Sequence, residues 1–242
     1  MHHAKRWFSR LLSARPKGAA PDDMLRDRCD AGRRLAAALM RFKSEQPVVL
    51  ALPRGGVPVG FEVAQALDAP LDVVLVRKIG APGQPELGIG ALVDGNEPRL
   101  VLNDEMVRLV QPEADYVEAE HKRQLAELER RRQLYRGARP PPAVEGRTVI
   151  VVDDGIATGG SVKAVLQALA HARPARLVLA VPVAPQDSLD AIASAADEVV
   201  CLASPDPFFA VGAHYRDFTQ TTDDEVVALL RQAAMRTDKK TA

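Results

Sequence analysis

Short apolar runs alternate with amphipathic stretches along most of the chain. VVLAL (48–52), DVVLV (72–76), TVIVVD (148–153), LVLAV (177–181) and EVVCL (198–202) are almost wholly aliphatic. That pattern belongs to strands covered on both faces, as in a parallel sheet. Between them the spacing predicts helices over 57–67, 161–170 and 187–196, and Pro58 falls in a first turn, where its missing amide costs little. An earlier helix over 24–42 would carry Leu25, Cys29, Leu35, Ala36 and Leu39 on one stripe. A last helix opens with the capping box Thr222-x-x-Glu225 and continues through Val226, Val227, Leu229 and Leu230.

The middle of the chain reads differently. Pro, Gly and Glu break up 80–90, after which GALV and RLVLN suggest two short strands joined through Asp94-Gly95-Asn96. The longest helix is predicted over 113–135, acidic at its start, basic at its end, with a thin stripe of Val117, Leu125, Leu128 and Tyr135. Such a helix lies on the surface or forms part of a mobile cover. ARPPPAVEG (138–146) is a rigid turn rather than a linker. The expected architecture is α/β: a parallel sheet of about five strands flanked by helices, in one domain over 21–242 behind a basic arm over 1–20.

Composition narrows this picture. Of 242 residues 47% are hydrophobic but only 4% aromatic, so the core is aliphatic. Thirty-two basic side chains balance thirty-two acidic ones, which argues against a globally basic nucleic-acid binder but not against a local basic patch. Arg outnumbers Lys by 24 to 8, a bias that genome composition explains as well as phosphate binding does. Cys29 and Cys201 have no metal spacing and suit a reducing cytoplasm, and no run of 18 apolar residues occurs. The arm holds five Lys/Arg and no acid before residue 19, a composition shared by presequences, interfacial helices and plain basic arms.

The candidate chemistry collects where the strands end, the usual place for a binding crevice in a parallel sheet. In VIVVDDGIATGGSV (149–162) the strand stops at Asp153 and Asp154, the chain turns through glycines, and Ser161 opens a helix. Amides of such a turn converge on an anion, and the hydroxyls of Thr158 and Ser161 add donors. Two carboxylates beside a phosphate cradle accept hydrogen bonds from a vicinal diol or hold a hydrated Mg2+. Phosphate plus diol describes a ribose 5-phosphate unit. Neither GxxxxGK[ST] nor GxGxxG fits this chain. Pro53-Arg54-Gly55-Gly56 follows the first core strand, and Arg77-Lys78 is expected to end the second, where two cations call for an anion.

The segment 149–161 resembles the signature of the type I phosphoribosyltransferases: aliphatic residues, two acids, then a short T/A-T-G-G/A-S/T loop. LPRGGVPVG, VRKIG, PGQPELGIGA, YRG, RPPP, VDDGIATG and the tail AVG-x-Y-x-DF further resemble a stand-alone group of uncharacterised bacterial members, over about residues 24–232. The resemblance implies a small hood and a flexible loop added to the sheet. It implies Asp153 and Asp154 on the ribose hydroxyls of phosphoribosyl pyrophosphate, and Ala157, Thr158, Gly159, Gly160 and Ser161 on its 5-phosphate. It further implies a pyrophosphate loop at Arg54, Gly55 and Gly56 with a non-proline cis peptide, and Lys78 reaching pyrophosphate with Arg77 beside it. The Arg130–Arg132 cluster, with Tyr135 and Arg136, falls where the family has its closing loop. Phe208 and Phe209 fall where an aromatic stacks on the base. His214 stands where the group carries Trp.

The activity so implied is displacement of pyrophosphate from phosphoribosyl pyrophosphate by a nitrogenous acceptor, with Mg2+, in a cytoplasmic homodimer. Ala157 occupies the position of the acid used by 6-oxopurine enzymes, which disfavours hypoxanthine and guanine. The competing expectation is a non-catalytic regulator that binds phosphoribosyl pyrophosphate.

Overall fold

The computed structural model describes residues 24–95 and 98–241; the basic arm over 1–20 lies outside the described residues. The chain runs through α1 (Arg28–Leu39), β1 (Val48–Ala51), α2 (Gly56–Leu67) and β2 (Leu71–Val73). It then makes β3 (Val76–Ala81), β4 (Gln84–Val93), β5 (Arg99–Leu102), α3 (Asp104–Val110) and α4 (Ala114–Tyr135). Next come β6 (Thr148–Val152), α5 (Gly160–Ala170), β7 (Arg176–Val183), α6 (Gln186–Ile192), β8 (Glu198–Ala203) and α7 (Asp223–Thr241). Five strands form a wholly parallel sheet in the order β2-β1-β6-β7-β8. This is the expected α/β core.

Alternate residues of each strand feed opposite layers. In β6, Ile150 and Val152 join the layer with α1, α2 and α7, whereas Val149 and Val151 join the layer with α5 and α6. Both layers exclude water, which is why these strands carry no polar alternation. Glycine sets the spacing of the first layer: a Cβ on Gly32 of α1 would meet the Val59 carbonyl oxygen of α2 at 2.8 Å.

The segment between β2 and β6 corrects the sequence reading. The apolar run 72–76 is not one strand. Val74 still donates to the Ala51 carbonyl at 3.0 Å, but Leu75 already accepts from Asp94 at 2.8 Å, and from Val76 onward the chain belongs to a second sheet. That sheet is antiparallel, in the order β3-β4-β5. Arg77 and Lys78 therefore sit inside β3, not at the carboxyl edge of the parallel sheet. The stretch 80–90 is not irregular either, since β4 occupies most of it. Glycines are tolerated there because backbones approach closely: a Cβ on Gly90 would lie 2.6 Å from the Val101 carbonyl oxygen. Helix α3, capped by Asn103 Oδ1 on the amides of Glu105 and Met106, was not expected.

Helix α4 spans the predicted range, buries Leu128 and Tyr135, and packs on β3 and α7. Its basic end is structural. Arg136 donates from Nε to Asp72 of β2 at 2.8 Å, from the other arm to the Val73 carbonyl at 3.0 Å, and pairs with Asp94 at 3.3 Å. Arg132 also binds Asp94. The two sheets are thus pinned together by buried charge.

Candidate active site

The carboxyl ends of β1 and β6, adjacent strands, bring the Pro53–Gly56 turn against the Asp153–Asp154 pair. Leu52 donates to the Val152 carbonyl at 2.9 Å, and the Pro53–Arg54 peptide is cis, as the resemblance implied. Glycine is required in this turn by proximity. A Cβ on Gly55 would fall 1.9 Å from Asp154 Oδ2, and one on Gly56 would fall 2.8 Å from the Val152 carbonyl oxygen.

The two acids differ in surroundings. Asp153 Oδ1 accepts from the Asp154 amide at 2.8 Å. Removal from water, and next the charge of Asp154, raise the Asp153 carboxyl well above the usual carboxylate range. Asp154 Oδ2 accepts from Arg28 Nε at 2.8 Å, and its backbone carbonyl accepts from the Tyr215 hydroxyl at 2.6 Å. Burial is the main cause of a raised Tyr215 pKa, with the charge of Asp154 second.

Beyond the acids the chain makes the expected tight turn into α5. Gly159 has φ +74°, and a Cβ there would strike Ile192 Cδ1 at 2.4 Å, so glycine is needed on both counts. Ala157, Thr158, Gly160 and Ser161 are exposed, and a Cβ on Gly160 would meet nothing within 4 Å. Ile156 donates to the Val183 carbonyl and Lys163 to the Gly159 carbonyl, but among the described residues the amides of 157–162 have no protein acceptor. The turn therefore presents a row of donors at a helix start with open space before it, an arrangement that suits a phosphoryl group.

Other expected site residues are placed as follows. Arg54 lies 3.8 Å from Asp223 of α7, which also takes the hydroxyl of Tyr135. Burial, followed by that hydrogen bond, pushes Tyr135 up to about 12. Arg77 donates to Gln124 of α4 at 2.9 Å, and burial, then the positive charge of Arg131, lowers its pKa. Lys78 pairs with the exposed Glu86 at 3.2 Å. Neither Arg77 nor Lys78 contacts the acid pair; they are carried by the second sheet, whose strands β3 and β4 pack on α5. Arg130 and Arg131 both bind Glu127 of the same helix, α4. Phe208 stacks on His214 with centroids 5.1 Å apart, whereas Phe209 is 83% exposed.

Three residues that touch this site carried no local signal: Arg28, Tyr215 in its role on Asp154, and Asp223. Each reaches it from a distant part of the chain. A cavity of about 530 Å3 lies elsewhere, between the 141–145 turn, Arg99 and the end of α5 at His171. Among the described residues no three His, Cys, Asp or Glu gather as a metal cage, and no helix is long and apolar enough to cross a membrane.

Comparison with known proteins agrees with this geometry. The phosphoribosyl transferase domain family matches residues 23–217. Two Mycobacterium tuberculosis proteins, from strains H37Rv and CDC 1551 and provisionally named as phosphoribosyl transferases, are 53% identical over 208 residues. Those residues are 86% of this chain but 46% of theirs, so the chain spans about half the length of the curated relatives it matches. The crystal structure of TT1426 from Thermus thermophilus superposes with a TM-score of 0.76 at 47% identity, covering 86% of this chain and 98% of that one. The sheet order, the acid pair with its glycine turn and the match over most of the length lead to one assignment: the chain belongs to the phosphoribosyl transferase domain family.

Proposed function

We propose that the protein binds 5-phosphoribosyl 1-pyrophosphate and transfers its phosphoribosyl group to a nitrogenous acceptor. One observation carries the reading. The open amides of 157–162, the carboxylates of Asp153 and Asp154, and the Arg54–Gly56 turn adjoin one another at one edge of the sheet. They match in order the 5-phosphate, the ribose hydroxyls and the pyrophosphate of that substrate.

In the reaction the acceptor nitrogen attacks the anomeric carbon, and the bond from that carbon to the pyrophosphate oxygen breaks. The leaving group departs with the electron pair, and the acceptor loses its proton to solvent or a base. Little covalent help is required of the protein, so positioning and charge do most of the work. The turn 157–161 anchors the 5-phosphate through backbone amides and the hydroxyls of Thr158 and Ser161. The acid pair holds the sugar hydroxyls and opposes the positive charge that grows on the ring. Arg54 and Lys78 draw off the pyrophosphate, with Lys78 reaching in from the second sheet and Arg77 fixing that sheet to α4.

Mg2+ fits as a companion of the substrate. Asp153 and Asp154 provide hard oxygen donors but not a cage, so they would hold the ion together with water and substrate oxygens. When bound it supplies positive charge to the departing pyrophosphate. Ala157, whose carbonyl accepts from Ser188 Oγ at 2.6 Å, presents a methyl group where an acid would serve a 6-oxopurine, so the acceptor belongs to another nitrogenous class. The test is a screen of such acceptors for pyrophosphate release from phosphoribosyl pyrophosphate with Mg2+. Release with one acceptor class supports the transferase. Binding without release by any acceptor assigns a regulatory role, and no binding removes the reading.

A further inference from the structure

Asp154 is held at both its carboxylate and its backbone carbonyl. Its Oδ2 lies between the Gly55 backbone and Arg28 Nε, with the Arg28 and Asp154 side chains 11% and 15% exposed. Arg28 is itself fixed twice more. Its other arm donates to the Thr219 carbonyl at 2.7 Å, and its guanidinium lies 3.9 Å from the centre of the Phe218 ring. Phe218 packs on Tyr215 with centroids 5.0 Å apart, and the Tyr215 hydroxyl returns to the Asp154 backbone. The contacts close a ring: Arg28, Asp154, Tyr215, Phe218 and back to Arg28. The amino-terminal end of the described residues joins it, since Leu25 bridges to Tyr215 as a parallel pair.

A largely buried ion pair gains little net stability over an apolar packing, because desolvation cancels much of the attraction. What it supplies is a single geometry. Two adjacent carboxylates would otherwise repel and take several rotamers, and ordering them would then weaken ligand binding. With Oδ2 committed to Arg28, the Asp154 carboxylate is held in one orientation.

We propose that Arg28 is a positioning residue, acting through Asp154 to preorganise the sugar-hydroxyl site. The proposal rests on the sugar-phosphate reading given above. The arginine does not touch the ligand; it holds the group that does. Its removal therefore weakens ligands that carry the ribose hydroxyls and spares those that only fill the phosphate turn.

The experiment compares ribose 5-phosphate with inorganic phosphate, titrated into the full chain and followed by NMR. The wild type is expected to bind ribose 5-phosphate at least tenfold more tightly. In Arg28→Met that preference falls to within about threefold, with phosphate affinity unchanged, and Arg28→Lys restores part of it. Loss of affinity for both ligands alike assigns Arg28 a purely structural role and overturns the proposal, as does a preference that survives in Arg28→Met. A wild type with no preference for the sugar removes the sugar-phosphate reading itself, and the proposal with it. Should Arg28→Met not fold, Phe218→Leu serves, since it withdraws the stacked ring and no charge. A reduced preference there supports the proposal, and an unchanged one overturns it.

Discussion

Gly55 lies so close to Asp154 that a Cβ built on it would come within 1.9 Å of the carboxylate Oδ2. Arg28 holds the same oxygen from another side, so the carboxylate cannot withdraw without breaking that pair. Gly55→Ala is therefore expected to destabilise the protein by about 1–3 kcal/mol, the usual cost of overpacking. It should also weaken phosphoribosyl pyrophosphate at least tenfold in calorimetry. Undiminished affinity would separate the Pro53–Gly56 turn from the site.

The contact between the two sheets makes a second expectation. Arg136 is 7% exposed and answers both Asp72 and Asp94. Burial is the main cause that raises the Asp72 pKa, with Arg136 opposing it, so the carboxylate depends on its partner. Arg136→Met would leave two buried acids short of a cation and cost about 3–5 kcal/mol in denaturant unfolding. A loss below about 1 kcal/mol would mean that both acids are satisfied without Arg136.

That contact also marks where the sequence stops being readable. The five core strands stand out because each is apolar on both faces, and the acid-glycine signature stands out because strand end, turn and helix start are consecutive. The second sheet is hidden for the opposite reason. Val74 and Leu75 look like more of β2, since an apolar run does not reveal where its hydrogen-bond partner changes. The glycines at 80, 88 and 90 look like breaks, although they permit bulged, closely spaced strands. Arg28 is separated from Asp154 by 126 positions, and nothing local in a helix start announces a partner so far away.

The raised carboxyl of Asp153 fixes the sign of a pH effect. Above the ordinary carboxylate value of about 3.9 and up to its raised native value, the folded state holds a proton that the unfolded chain has lost. Stability therefore falls as pH rises through that window. Asp153→Asn has no such proton, so its stability relative to the wild type should improve as pH rises above about 4 in urea unfolding, while phosphoribosyl pyrophosphate binding is lost. A difference that stays constant with pH would show that this carboxyl ionises as an exposed one does.

Arg54 and Asp223 lead to the last expectation. Their charged atoms are 3.8 Å apart, and the side chains are 36% and 42% exposed, so the pair is worth at most about 1 kcal/mol. A pyrophosphate that engages Arg54 has to compete with that carboxylate. Asp223→Asn removes the competitor and should tighten inorganic pyrophosphate by up to about fivefold. Ribose 5-phosphate, which does not reach Arg54, should bind as before. Asp224 and Glu225 remain in the first turn of α7, so the helix keeps acids at its amino end and stability should change little. The two ligands separate the explanations: tightening of pyrophosphate alone assigns Arg54 to the leaving group, whereas equal changes in both would trace to a general rise in positive potential around the sheet edge.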